Sequence, residues 1–226
     1  MSCNIPSPTD TITKTIGMAL ELTNYKKFFS ERLILEIPEL SLGHGIYWIK
    51  GDNGSGKSTL FKSIGGLISF HGTIRFNELS CKRDYERYRQ IVSYSEAEPT
   101  YPDFLSLRDL IAFYSKTLRA QKEHVAELIQ QFNPLSFLNN PVSTYSSGML
   151  KKTGLLLAFI GNPQLIILDE PFITIDKKTT QVLEKLILDR YQAGATFLIS
   201  SHMPEGALQL PITKTYWVKD SKLERV

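Results

Sequence analysis

Apolar and polar residues alternate with a period of two at both ends of the chain. Two runs of β-forming residues, GMALELTNYKKFF and RLILEIPELSLGHGIYWIKG, are separated by turn residues near the start. They predict an antiparallel lead-in that ends in a buried strand at Ile46–Lys50. The closing segment KTYWVKDSKLERV predicts a hairpin that turns at Asp220–Ser221.

Strands and helices alternate through most of the remaining chain. Short β-rich runs predict strands at Gly72–Asn77, at Ile91–Ser95, in LIILDE (Leu165–Glu170) and in ATFLISSH. Helical spacing follows Lys57, occurs in YERYRQ, continues through Ile160 and returns over Thr179–Gln192. Strands that alternate with helices indicate an α/β domain with a parallel sheet at its core.

The middle of the chain, about residues 99–144, differs from its surroundings. The segment LSLRDLIAFYSKTLRAQKEHVAELIQQF has helical periodicity and precedes the loop NPLSFLNNPVST. We interpret this region as an inserted helical subdomain. We therefore expect one domain over residues 17–226, with an antiparallel β subdomain at its start and a flexible tail at residues 1–16.

Composition limits the class of protein without naming it. The 226 residues carry 26 basic and 23 acidic side chains, a net charge of +3, which is too balanced to favour a nucleic-acid partner. The two cysteines, Cys3 and Cys81, are expected to be reduced thiols. The longest apolar run, Gly154–Gly161, is too short for a membrane span and predicts a buried helix.

Three glycines and a lysine stand between the predicted strand Ile46–Lys50 and the helix that follows it. The stretch GDNGSGKS matches the phosphate-loop pattern G-x-x-x-x-G-K-[ST] and predicts a P-loop nucleotide-hydrolase core. Glycines allow successive backbone N–H groups to surround an anion, and the helix N-terminus favours negative charge. We expect Lys57 to reach the β- and γ-phosphates of a nucleotide and the Ser58 hydroxyl to bind Mg²⁺. The predicted ATP-binding loop comprises Gly51, Asp52, Asn53, Gly54, Ser55, Gly56, Lys57, Ser58 and Thr59.

Acidic residues at the end of an apolar strand predict the second half of the nucleotide site. Asp169 follows the apolar residues of LIILDE and is expected to hold Mg²⁺, directly or through water. Glu170 is one residue further on, where it can act as the general base for an attacking water. His202 ends the next predicted strand and is the third catalytic candidate, with Lys57 and Glu170.

These residues resemble the nucleotide-binding domain of the ATP-binding cassette (ABC) family. The segment YSSGMLKK (Tyr145–Lys152) is similar to the family signature LSGGQ, of which Ser146 and Gly148 are retained, whereas Tyr145, Ser147 and Met149 depart from it. The order of phosphate loop, helical insert, signature, acidic strand and histidine also matches. The resemblance extends from about residue 17 to the end, and the signature variant is similar to those of exporter-type cassettes.

The resemblance implies roles for further residues. The signature residues Ser146, Ser147 and Gly148 would bind the phosphate held by a second nucleotide-binding domain. Ser146 is also predicted to cap the helix that begins there. Asp176 is the residue retained from the family's D-loop, so it would lie at the same interface.

Two assignments within the resemblance stay open. The segment SYSEAEPTYP has no glutamine where the family places one, so either Glu96, our choice as a further metal ligand, or Ala97 occupies that position. An aromatic side chain is expected to stack on adenine. Phe29 is our choice, with Tyr25 and Phe28 as alternatives.

The resemblance implies an ATPase that uses ATP and Mg²⁺ and drives export. Its partners would be a second nucleotide-binding domain, from a second copy or a sibling subunit, and a separate membrane-spanning permease that holds it at the cytoplasmic face of the cell membrane. No nucleic-acid partner is expected. The alternatives are a soluble cassette ATPase acting on ribosomes or DNA ends, a nucleotide-dependent switch that barely hydrolyses, and a nucleotide kinase on the same fold.

Overall fold

A computed structural model describes residues 19–203, 206 and 208–226. Its strands are β1 (Leu20–Phe29), β2 (Arg32–Leu42), β3 (Ile46–Lys50), β4 (His71–Phe76), β5 (Leu79–Ser80), β6 (Val92–Ser95), β7 (Leu165–Leu168), β8 (Thr196–Ser200), β9 (Lys214–Lys219) and β10 (Lys222–Arg225). Its helices are α1 (Lys57–Ile64), α2 (Tyr85–Ile91), α3 (Leu107–Thr117), α4 (Lys122–Phe132), α5 (Ser147–Ala158) and α6 (Lys177–Gln192), with a 3₁₀ turn at Val142–Thr144. The predicted tail at residues 1–16 and Cys3 lie outside the described residues.

The strands form two sheets. Antiparallel pairing gives the first sheet the order β2-β1-β4-β5, and the second has the order β10-β9-β3-β8-β7-β6. Strands β9, β3, β8, β7 and β6 run parallel, while β10 returns antiparallel beside β9. The predicted α/β fold, with a parallel core and an antiparallel sheet at its start, is confirmed.

The central strands β3, β8 and β7 of the six-stranded sheet are buried on both faces, which explains why they are mostly apolar. In β7, Leu165 and Ile167 face the core shared with the first sheet, whereas Ile166 and Leu168 face the helical core on the opposite side. Side chains alternate between the two faces along a strand, so each central strand contributes to both cores. The parallel strands therefore end at one buried edge.

Most predicted elements are confirmed with small shifts at their ends. Strand β3 has the predicted bounds, α6 begins two residues before Thr179, and the closing hairpin turns at Asp220 and Ser221 with φ of 47° and 59°. Cys81 is buried and unpaired. Across the part of the chain that the structure describes, no helix is long and apolar enough to cross a membrane.

The helical insert contains two helices where the sequence showed one unbroken periodicity. Helix α3 ends at Thr117, and Arg119 adopts a left-handed conformation with φ of 50°. The Ala120 amide then donates to the Ser115 carbonyl at 2.9 Å, as in a Schellman-type helix end. Glycine or asparagine usually marks such an end, so arginine gave no signal of the break.

Gly72 lies where the backbone of β4 crosses an irregularity in β1. Its φ is +86°, and a Cβ atom added there would lie 2.2 Å from the Asn24 carbonyl oxygen. We expect Gly72→Ala to destabilise the domain by about 1–3 kcal/mol, because both the conformation and the contact are unfavourable. Urea unfolding should detect this loss. Gly43→Ala is the matched control, since its Cβ would meet no atom within 4 Å. Equal stability of the two variants would contradict the claim that position 72 requires glycine.

Candidate functional site

The phosphate loop connects β3 to α1 at the carboxyl edge of the six-stranded sheet. Gly51, Gly54 and Gly56 have φ of 147°, 77° and 112°, values that residues with a Cβ rarely adopt. At Gly51, a Cβ atom would also lie 2.6 Å from the Val218 carbonyl oxygen and 2.7 Å from Ser55 Oγ. The glycines predicted from the sequence are therefore required by the shape of this loop.

Lys57 begins α1 and folds back across the loop. Its Nζ donates to the carbonyl oxygens of Gly51 at 2.6 Å and Asp52 at 3.1 Å, and the side chain is buried. These carbonyls hold the ammonium at the mouth of the loop. An anion in the loop would offer it stronger acceptors than neutral carbonyls, because hydrogen bonds between charged groups are the stronger kind.

A cavity of about 680 Å³ opens over the loop and brings most of the predicted site together. The predicted residues that line it are Asn53, Gly54, Ser55, Gly56, Lys57, Ser58, Thr59, Ala97, Ser147, Asp169, Glu170 and His202. Glu98, Pro99, Thr100, Leu150, Ile173 and Thr174 complete the lining. The separate sequence motifs thus meet at one place.

Asp169 is buried at the end of β7 and its carboxylate is held from two sides. Ser200 Oγ donates to Oδ1 at 2.6 Å, and the Tyr94 hydroxyl donates to Oδ2 at 3.3 Å. Burial and the nearby Asp169 charge raise the pKa of the Tyr94 hydroxyl far above its usual value, so it remains a donor. The Asp169 carboxylate therefore has a fixed position.

Glu170 leaves the strand with a left-handed backbone, φ of 46°, and its amide donates to Ser200 Oγ at 2.9 Å. His202 Nε2 lies 3.2 Å from Glu170 Oε1, close enough for an ion pair when the imidazole is protonated. Burial raises the pKa of Glu170, while His202 and Lys57 oppose this effect. A raised pKa brings a carboxylate closer to the range of a useful general base.

The donor set fits a nucleotide-bound Mg²⁺. Magnesium keeps several waters and takes one or two protein oxygens with phosphate oxygens, a requirement that Asp169 and the Ser58 hydroxyl satisfy. Within the described residues, no group of three or more His, Cys, Asp or Glu side chains forms a metal site that needs no nucleotide. The site suits a metal that arrives with its phosphate.

Serine 146 caps α5, as the sequence predicts. Its Oγ accepts from the Met149 amide at 3.3 Å, and Ser147 lies in the first turn of the helix. Tyr145 anchors this turn to the helical insert, because its hydroxyl accepts from the Leu107 amide at 3.0 Å and donates to the Phe137 carbonyl at 2.8 Å. Asp176 caps α6 and accepts from the Thr179 amide at 2.7 Å, which lowers the pKa of its carboxyl. Its side chain is largely exposed.

The structure places the alternative residues for the glutamine position and for the adenine-stacking aromatic in different surroundings. The Glu96 carboxylate pairs with Lys62 at 2.9 Å and does not line the cavity, whereas Ala97 and Glu98 do. Tyr25 is fully buried and its hydroxyl shares a hydrogen bond with Ser63. Phe29 is half-exposed beneath the Lys27 ammonium, 4.8 Å from its ring centre, outside the cavity lining.

Sequence reasoning missed four residues that shape the site, namely Ser200, Tyr94, Tyr145 and Lys151. Strand register would have identified the first, because Leu168 pairs with Ile199 and the next residues along are Asp169 and Ser200. Lys151 is a charged residue at the start of an apolar helix, which is a weak signal. Its burial, only 1% exposed, was visible only in the structure.

The family model described as "ABC transporter" matches residues 38–173 of this chain. The lantibiotic transport ATP-binding protein SrtF of Streptococcus pyogenes is 32% identical over 188 residues, which cover 81% of this chain and 80% of SrtF. The cytochrome c biogenesis ATP-binding export protein CcmA of Histophilus somni is 31% identical over 166 residues, covering 71% and 76%. Import ATP-binding proteins are also similar to the chain.

Among solved structures, the ATP-binding subunit of an ABC transporter superposes on this chain with a TM-score of 0.81 at 23% identity. The match covers 90% of this chain and 87% of that one. At this identity the likeness shows the fold.

The buried charge of Glu170 predicts a pH-dependent stability difference in the nucleotide-free, Mg²⁺-free protein. A carboxyl whose pKa is raised on folding binds protons more readily in the folded state, so stability falls as pH rises from the unfolded pKa through the folded pKa. Glu170→Gln removes that loss. We expect its thermal midpoint to exceed that of the wild-type chain at pH 8 and the difference to disappear towards pH 4.5. A constant difference across this range would contradict the raised pKa.

Proposed function

The chain belongs to the ABC transporter family as an ATP-binding subunit, and we propose that it hydrolyses ATP to drive export through a separate membrane-spanning protein. One observation carries the proposal. The phosphate loop from Asn53 onward, Asp169, Glu170 and His202 line one cavity, and Ser147 belongs to the same lining.

Each of these residues has a chemical task in the proposed reaction. Mg²⁺, held by Ser58 and Asp169, would neutralise phosphate charge. Glu170 accepts a proton from the attacking water, and His202, 3.2 Å away, orients both the water and the γ-phosphate. Lys57 leaves its two loop carbonyls and binds the phosphates, where its charge stabilises the transition state. Burial of the cavity floor strengthens these electrostatic interactions.

A second nucleotide-binding domain would complete the site. The signature residues Ser146 and Ser147 stand at an exposed helix N-terminus, where amide groups attract phosphate. The exposed Asp176 lies nearby, because its carboxylate is 3.8 Å from the Lys152 ammonium on the signature helix. We propose that these residues meet the nucleotide of a second copy or a sibling subunit, and that hydrolysis reopens the pair.

The membrane-spanning partner would contact the helical insert. Phe104 and Phe113 are 80% and 65% exposed there, although large apolar side chains are usually covered. Phe113 and Tyr94 both line a groove bordered by α2, β6, α3 and α5, and the Tyr94 hydroxyl donates to the Asp169 carboxylate. A partner bound in this groove would therefore contact Tyr94, whose hydroxyl is hydrogen-bonded to the proposed metal ligand Asp169. It would hold the subunit at the cytoplasmic face of the membrane.

Replacing Glu170 with Gln should lower ATP turnover by about 10²- to 10⁴-fold, the usual contribution of a positioned general base. ATP binding should persist, so the variant is expected to accumulate as an ATP-bound pair in size-exclusion chromatography. Steady-state phosphate release measures the effect. Glu224→Gln, an exposed change on β10, is the matched control and should retain wild-type turnover. Unchanged turnover in Glu170→Gln would contradict the proposal that Glu170 is the general base.

Affinity purification of the chain from gently solubilised native membranes tests the transport proposal. We expect a polytopic membrane protein to co-purify, and Phe104→Ser combined with Phe113→Ser to release it because their apolar contact is lost. Glu224→Gln again serves as the control. Recovery only with ribosomal or DNA-repair proteins, and not with a membrane protein, would leave the ATPase chemistry intact and contradict the transport role. The direction of transport can be measured with the purified complex of this chain and its membrane partner in vesicles. ATP-driven movement of the cargo away from the side that carries the nucleotide-binding domains would indicate export.

A further inference from the structure

Lys151 is a buried lysine that the proposed reaction does not use. It lies in the second turn of α5, four residues after the first signature residue of the helix, and is 1% exposed. Burying an ammonium costs several kcal/mol unless its hydrogen bonds are satisfied. A side chain at this position therefore needs a compensating set of partners.

Those partners are three backbone carbonyls from two separate segments. Lys151 Nζ donates to the carbonyls of Glu96 at 2.9 Å and Ala97 at 3.0 Å, and to that of Asp169 at 2.7 Å. An ammonium has three donors, so this set uses all of them. One side chain thus joins the signature helix, the loop after β6 and the end of β7.

The packing around Lys151 shows that the loop rests directly on α5. One turn further along, Gly154 faces the same loop, and a Cβ added there would lie 2.7 Å from Pro99 Cγ. Ala97, Glu98, Pro99 and Thr100 then form one wall of the nucleotide cavity. The position of that wall relative to Asp169 depends on the lysine that binds both.

The positive charge of Lys151 also interacts favourably with nearby carboxylates. Asp169, Glu170 and Glu98 all lie near enough to favour the ammonium, which burial alone would disfavour. A neutral side chain could fill the space but would leave three carbonyls without donors and the acidic pair without this cation. The charge and the three donors are therefore needed together.

We propose that Lys151 is a positioning residue for ATP hydrolysis, which holds the cavity wall at Glu96–Ala97 and the backbone of Asp169 in register with the signature helix. The inference rests on the proposed function, since it concerns the same reaction. In this proposal Lys151 acts through the backbone groups that it binds and makes no direct contact with the phosphate or the attacking water. Its loss should affect the chemical step and the use of Mg²⁺ more than the binding of ATP.

The test compares Lys151→Met, which keeps the length and removes the donors, with the wild-type chain. We expect turnover per bound nucleotide to fall about 10- to 100-fold, because small misplacements of reacting groups have effects of this size. The Mg²⁺ concentration for half-maximal turnover should rise, while the KM for ATP changes by less than about threefold. Lys185→Met is the control, because that exposed lysine pairs only with Asp189 on α6 among the described residues.

Hydrogen–deuterium exchange gives a readout that does not depend on hydrolysis. The amides of Glu96, Ala97, Glu98 and Thr100 should exchange faster in Lys151→Met than in the wild-type chain, without a similar change in β3. If Lys151→Met does not fold, Lys151→Gln, which keeps two donors, should show the same changes to a smaller degree.

Wild-type turnover and Mg²⁺ dependence in a folded Lys151→Met variant would overturn the inference. So would a loss of turnover that only matches the loss of bound nucleotide, since that indicates a structural role. An inactive wild-type chain would instead contradict the proposed function, and the exchange experiment would still decide whether Lys151 positions the loop.

Discussion

Two adjacent carboxylates at the buried end of β7 set the main constraint on this structure. Asp169 is 1% exposed and Glu170 is 9% exposed, so their negative charges lie where water compensates them poorly. Ser200 Oγ fixes both residues, because it donates to the Asp169 carboxylate and accepts from the Glu170 amide. Two cations lie near these carboxylates, Lys57 at the start of α1 and Lys151 on the signature helix. The raised pKa of the Glu170 carboxyl supports its proposed role as the general base.

The fold makes this arrangement possible because its central sheet is covered on both faces. Strands β3, β7 and β8 are mostly apolar and buried, and the residues that follow them carry the loop, the carboxylates and His202. Parallel strands end at the same edge, so residues from distant parts of the sequence meet there. The apolar strands supply rigidity, and the polar residues just beyond them supply the chemistry.

The helical insert is attached to this edge by specific polar contacts. Tyr145 binds backbone groups at Leu107 and Phe137, and Lys151 binds the loop that leads from β6 into the insert. A movement of the insert would therefore displace the signature and the backbone of Asp169 together. Such a connection is what an ATPase needs if a partner on its surface is to respond to the state of its nucleotide.

The sequence predicted the parts of the site that local patterns encode. The glycines of the phosphate loop, the apolar strand before Asp169 and the cap at Ser146 each have a local physical reason, and the structure contains each of these features. Contacts between distant residues were beyond such reasoning. The burial of Lys151, the pairing of Glu96 with Lys62 and the turn at Arg119 depend on tertiary packing that overrides composition.

The proposed reaction requires the triphosphate to lie between the phosphate loop, Asp169 and Glu170. The most direct measurement is a crystal structure of Glu170→Gln with ATP and Mg²⁺. Our account predicts the triphosphate in the loop Gly51–Ser58, Mg²⁺ between Ser58 and Asp169, and residue 170 facing the γ-phosphate. A triphosphate bound elsewhere, or one whose γ-phosphate points away from residue 170 and His202, would contradict it.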